Sequence, residues 1–322
     1  MDNFTWIPHQ GCDLNSLLRL KSHFSSPPPN PMGEAWFMGN ERRMFNHLSV
    51  NPNCLSSEDL VEAFEEIISG FSAFGYLEEW WDWYHYLLVA CLEKANQNQH
   101  VDNLLDYCVS GYIACYSYTT NDPPYKGFED DVLNTLGRMI MNPSNWDDTN
   151  IIIGKILHEA PQNSSETWGW WEASSDLSSS IFFCLKHLPD DSIDCWFKSV
   201  LEIPSPHWKA QLLVWLVGAN SLITGDIKRL SKLPHNPHIG WEGSSLLSGI
   251  YSRENSNGTQ ASEVITINKR KIISECVNEY FNEDSYIEWL EIISKHDYLM
   301  AEISGIVNTF EHLFIYKKMK IW

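Results

Sequence analysis

Basic side chains are scarce in this chain: 22 Lys and Arg stand against 42 Asp and Glu, a formal charge of −20 at neutral pH over 322 residues. A field of that sign repels phosphate backbones and anionic bilayer surfaces. It therefore argues against nucleic-acid and membrane-surface binding and favours a basic partner. Long apolar runs are also missing. The longest uncharged apolar stretch, AQLLVWLVGANSLITG at 210–225, falls short of the roughly 20 residues that cross a bilayer. The opening MDNFTWIPHQ has neither the basic start nor the apolar core of a secretory leader. No CxxC pair occurs among the eight cysteines, at 12, 54, 91, 108, 115, 184, 195 and 276. With no leader and no paired spacing, free thiols in a reducing cytoplasm are expected rather than a disulfide framework. A phosphate loop, a dinucleotide fingerprint and a GxSxG elbow are all lacking, so no motif supports catalysis. Period-two alternation is nearly absent, which leaves little room for sheet.

What is present is helical patterning in a chain that is 43% hydrophobic, enough for a substantial core. The best-delimited helix is LSSEDLVEAFEEIISG (55–70), with Ser56 or Ser57 as N-cap, acids in the first turn and Gly70 at its end. The same reasoning predicts helices near 13–24, 34–48, 75–96, 100–118, 129–141, 146–159, 174–187, 191–202, 206–221, 225–232, 242–252, 265–282, 284–294 and 297–316. Short connections rich in Pro, Asn and Gly join them, the pattern of antiparallel helix pairs. The expected fold is all-α. Its expected organisation is an N-terminal helix with a Pro-rich linker (1–33), a helical body (34–251), a loop (252–262) and C-terminal helices (263–322), forming one continuous domain.

NWDDTNIIIGKILHEA (145–160) and LPDDSIDCWFKSVLEI (188–203) align at an offset of 43 residues, each with Asp-Asp at a helix start and an apolar stripe behind it. SPHWKAQLLVWLVGA (205–219) follows with Pro at its first turn. Over residues 128–250 the chain thus resembles HEAT-like repeat proteins, whose units run to roughly 40–47 residues. The resemblance implies an irregular α-solenoid acting as a binding platform. A closed helical bundle or an α/α toroid would show the same helix density.

Charge is uneven: residues 1–161 hold 8 basic and 22 acidic side chains (net −14), and 162–322 hold 14 and 20 (net −6). The acids concentrate at Glu58, Asp59, Glu62, Glu65, Glu66, Glu78, Glu79 and Asp82. They adjoin the stretch YLEEWWDWYHYLL (76–88). On a helical projection Leu77, Trp80, Trp81, Tyr84, Leu87, Leu88, Cys91 and Leu92 share a core arc of about 140°. Trp83 and Tyr86 fall outside it, beside Glu79 and Asp82, as a candidate aromatic binding patch. A second candidate is WGWWEASSD (168–176), where Trp168, Trp170 and Trp171 precede a helix.

DDSID at 190–194 is similar to the DDxxD motif of class I terpene synthases, which implies magnesium held on a diphosphate by Asp190, Asp191 and Asp194. Pro189 instead places these aspartates at a helix start, where capping and dipole roles are ordinary. His235 and His238 are separated by Pro237 and do not present one ligand face. No cofactor is expected. The favoured function is a non-catalytic scaffold or inhibitor, immunity-like, whose acidic surface takes a basic protein. The alternatives are an all-α enzyme, using the aspartates or a carbohydrate site lined by tryptophans, and an accessory subunit of a larger assembly.

Overall fold

The structure, a computed structural model, describes residues 4–25, 27–30, 48, 54–70, 77–96, 104–116, 123–153, 156–157, 175–228, 233 and 265–316. The described residues are all-α apart from one two-stranded hairpin. The predicted helices at 34–48 and 242–252 lie outside the described residues, apart from Leu48. The chain forms two compact units. Unit 1 comprises Met1–His9, Asn145–Ser244 and Glu263–Trp322, and unit 2 comprises Gln10–Ser144 and Ser245–Ser262.

Unit 2 is built from α1 (Leu14–Phe24), α2 (Ser57–Gly70), α3 (Leu77–Asn96), α4 (Leu104–Tyr116) and α5 (Phe128–Thr135), continued by a 3-10 segment Leu136–Met141. Local chemistry sets the helix starts. The Asp13 carboxylate accepts from Ser16 N at 2.7 Å, which caps α1. Ser56 and Asp59 cap α2 reciprocally, at 3.0 and 2.8 Å. α1 packs on α3 and α5, and α2 packs on α3 and α4.

Gly70 is the last residue of α2, as expected, and stays helical; the positive-φ glycines among the described residues are Gly127 and Gly225. Its smallness serves packing, since a Cβ there would lie 2.1 Å from the buried Trp80 ring. Gly70→Ala is therefore expected to cost about 1–2 kcal/mol, overpacking outweighing the better helix propensity of Ala. Urea unfolding checks this; a stabilised variant would show that the Trp80 ring can move aside.

Unit 1 holds an extended N-terminal segment, the hairpin β1 (Trp146–Asp147) and β2 (Asn150–Ile151), then α6 (Ser175–His187), α7 (Asp190–Glu202), α8 (Pro206–Thr224), α9 (Ile267–Tyr280), α10 (Glu283–Ile293) and α11 (Asp297–Phe310), which runs on as a π-turn Glu311–Ile315. α8 starts with Pro206 after Ser205 and ends at Gly225, φ 84°. Every residue of α8 from His207 to Ala219 is buried. An apolar helix of this kind needs neighbours on all sides. α9, α10, α11 and β2 pack against it, and Phe182 of α6 meets Trp215 at 5.5 Å. Trp6 adds to the same core, 5.3 Å from Trp196 and 6.0 Å from Trp208, while its backbone N–H donates to Ser199 Oγ at 2.8 Å.

Two predicted helices are corrected here. Residues 146–153 form the antiparallel hairpin and its exit, not the start of a helix over 146–159. Asp-Asp-Thr-Asn is turn chemistry, Asp148 sits at φ 52°, and the β-branched run Ile151–Ile153 favours extended backbone. Ser205 Oγ accepts from Ile151 N at 3.3 Å, and Trp146 meets Trp208 at 5.5 Å, so the hairpin is also pinned to α8. The segment aligned above with 188–203 thus folds differently from it. Residues 225–228, expected to open another helix, are likewise not helical.

Among the described residues, no helix is long and apolar enough to cross a membrane.

Candidate functional site

α2 and α3 present the acidic surface of unit 2. α2 (SEDLVEAFEEIISG) buries Leu60, Ala63, Phe64, Ile67 and Ile68 and carries no Lys or Arg. Glu58, Glu62 and Glu66, one turn apart along its outer side, are all exposed. Glu65 beside them is exposed and accepts a hydrogen bond from the Tyr107 hydroxyl of α4. Among the described residues none of Glu58, Glu62 and Glu66 has an ion-pair partner. Like charges at this spacing destabilise a helix by roughly 0.2–0.5 kcal/mol per pair. At the start of α3, Glu78 and Asp82 repeat the arrangement, both exposed. Partial burial, and after it the charge of Glu78, raises the Asp82 carboxyl above its ordinary value. Glu79 is half-buried between them.

The aromatic half of the expected patch is elsewhere. Trp83 is 0% exposed and Tyr86 1%, so neither ring is at the surface. They do meet edge to face, at 5.8 Å, but inside the core. The physical reason is that α3 is enclosed on all sides: from Trp83 to Leu92 every residue is buried. α1, α2 and α4 pack against the helix, and the Pro-rich segment reaches it as well, Asn30 O accepting from Trp83 Nε1 at 3.0 Å. Two members of the expected core arc are the more accessible ones. Leu77 is 44% exposed, and Trp81 is half-buried, its Nε1 donating to Cys115 O at 3.2 Å. Trp168, Trp170 and Trp171 lie outside the described residues.

Each of the three aspartates of α7 has a partner of its own. Asp190 accepts from Asn268 Nδ2 at 3.1 Å, Asp191 from the Ser192 hydroxyl at 3.2 Å, and Asp194 is ion-paired with Lys198 at 2.9 Å. Among the described residues no group of three or more His, Cys, Asp or Glu could hold a metal ion.

Inside unit 2, burial holds several titratable groups in their neutral form. His85 stacks on Phe24 at 4.4 Å and hydrogen-bonds the Tyr116 hydroxyl, and burial drives its imidazole down to about 3. Burial raises the Tyr84, Cys115 and Tyr116 groups well above their ordinary values. Cys108 and Cys115 are buried thiols, as their spacing on α4 suggests. Asp131, 3% exposed at its side chain, is ion-paired with Arg19. Burial pushes its carboxyl up, but hydrogen bonds from Arg19, Tyr125 and Ser16 outweigh that and leave it below the ordinary value. Arg19 Nε lies 3.0 Å from both carboxylate oxygens, and the Tyr125 hydroxyl donates at 2.7 Å. This is structural bracing between α1 and α5.

Comparison with protein-family models, curated proteins and solved structures finds no significant match to this chain. The carboxylate row of α2 shows in the sequence as an i, i+4 recurrence of Glu in a helix without basic residues.

Proposed function

We propose that this protein is a non-catalytic binding protein whose acidic face, centred on α2, takes a basic protein partner. The observation that carries this reading is the row Glu58, Glu62 and Glu66: exposed, unpaired among the described residues and maintained at a cost in helix stability. A surface that weakens its own helix is explained if complementary charge arrives from outside. The net charge of −20 acts in the same sense, steering a cationic partner toward encounter. An inhibitor or immunity-type role facing a basic enzyme is the form we favour. For architecture, we read successive packed helices such as α3 with α4 and α10 with α11 as helix pairs of the repeat type, whereas the all-round burial of α8 supports a closed bundle within unit 1.

The test is affinity capture from cell extract at about 50 mM salt, where screening is weak, with wild type beside Glu62→Gln plus Glu66→Gln. One basic protein should be enriched on wild type, released as salt rises, and retained at least tenfold less by the variant. The variant's melting temperature should be unchanged or slightly raised, because like-charge repulsion is relieved. Equal capture by both proteins, or enrichment of acidic partners, would overturn the reading.

A further inference from the structure

Two histidines stand side by side at two helix N-termini of unit 1. His207 is the second residue of α8, directly after Pro206, and His296 is the residue flanking the start of α11. Their ring centroids are 4.9 Å apart, and the Tyr298 ring is 5.7 Å from one and 5.9 Å from the other. The Tyr298 hydroxyl hydrogen-bonds Nε2 of His207. His207 is 7% exposed, whereas Tyr298, 38% exposed, opens the cluster to water.

Three features of this geometry disfavour positive charge. The helix N-termini carry partial positive charge, and neither is capped by a side-chain oxygen. The imidazoles are close enough to repel one another once protonated. His207 is also shielded from solvent. Charged groups also stand on the elements packed around α8. Lys209, on α8 itself, lies over the Trp289 ring at 4.1 Å, where Glu288 of α10 acts on it. Arg270 of α9 lies by Gly225 at the far end of α8. Asp297 is exposed on α11, Glu302 is half-buried there, and Asp147 and Asp148 are exposed on the hairpin. Among the described residues, His296 is the charge that acts on His207.

We propose that His207, His296 and Tyr298 form an acid-operated latch, which fastens the first turn of α11 to the first turn of α8 at neutral pH and releases it on protonation. In the fastened state neutral His207 accepts the Tyr298 hydroxyl proton at Nε2 and carries its own proton on Nδ1. Protonation converts Nε2 to a donor, which breaks the hydrogen bond from Tyr298, and sets an imidazolium ion at the positive start of α8. Burial, and then His296, holds the His207 imidazole down to about 4, so the fastened state prefers it neutral. An imidazole with a depressed value contributes stability that is present above the free value of roughly 6.5 and lost as pH falls toward 4. From His207 alone, the ratio of released to fastened molecules should rise about 30-fold between pH 7.5 and pH 5.

The test is amide hydrogen exchange of the full chain, corrected for intrinsic rates, read at Glu302 and Ile303 in α11 and at Leu212–Leu216 in α8. Protection in α11 should fall about 30-fold from pH 7.5 to 5 and be insensitive to low urea, as a local opening is, while exchange in α8 depends steeply on urea. In His207→Gln the α11 change should shrink to within threefold, and in His296→Gln it should be intermediate. NMR titration of the His207 ring in wild type gives a check independent of either variant, with a midpoint expected below 5.5. A midpoint near 6.5, a full α11 change in His207→Gln, or α11 exchange as urea-dependent as α8 would each overturn the latch.

Discussion

Trp83→Ala is expected to destabilise unit 2 by about 3–5 kcal/mol, the usual cost of emptying a large buried aromatic site. Trp83 is 0% exposed, and its indole N–H is bonded to Asn30 O. The substitution therefore opens a cavity beside Tyr86 and also leaves a backbone carbonyl without its donor. A surface tryptophan would give a change within about 0.5 kcal/mol. Trp83→Phe separates the two contributions, because it keeps most of the volume and loses the hydrogen bond; about 1 kcal/mol is expected for that bond. Urea unfolding followed by circular dichroism measures both. An alanine variant as stable as wild type would return Trp83 to the surface and with it the aromatic binding patch.

Acidification from pH 7 to 5 is the second large effect, and it should strike both units. Burial drives His85 of unit 2 down to about 3. Burial first, then the charges of Lys186 and Lys269, drives His187 of unit 1 down to about 3. With the folded value below the unfolded one, the unfolded chain binds the proton first, so stability falls as pH drops below about 6.5. The slope is roughly 1.4 kcal/mol per pH unit for each imidazole, or about 2 kcal/mol each by pH 5. The window for this loss runs from about pH 6.5 to 5. Below that window Asp131 acts in the same direction as the histidines, since its depressed carboxyl contributes stability that is lost as pH falls through the folded value. Urea midpoints at half-unit pH intervals read the slope. His85→Phe should be less stable at pH 7, through the stranded Tyr116 hydroxyl, yet flatter with pH. A variant with the wild-type slope would show that His85 is not the group titrating.

Helices whose ends carry their own chemistry were legible in the sequence: α2 with Ser56 and Asp59, α7 behind Pro189, and the start of α8 at Pro206. Their caps are local, so a window of a few residues contains the cause. What escaped depends on distant partners. The projection that put Trp83 and Tyr86 outside assumed a helix buried along one stripe. α3 is instead closed over on its other side as well, and one of the groups that reaches it, Asn30, lies 53 residues away in a segment that reads as a loose linker. The hairpin at 146–151 was hidden because Asp-Asp followed by apolar residues also reads as a capped helix; contact with Ser205 and Trp208 settles the competition. His207 and His296 are 89 residues apart, and nothing local to either announces the other. The acidic half of the site was visible because charge density needs no partner to be counted.

The position of Trp6 has a consequence for how the chain is made. Its neighbours Trp196 and Trp208 are synthesised about two hundred residues later, so the ribosome releases most of the protein before that core can close. Joining ends so far apart costs about 4–5 kcal/mol of loop entropy in an otherwise unstructured chain. Folding of unit 2 in the interim would remove most of that cost: Cys12 N donates to Asn142 Oδ1 at 3.0 Å, so its two chain ends are held together. The intervening unit then acts as a clip, and the tryptophan waits on a short tether for its partners to emerge.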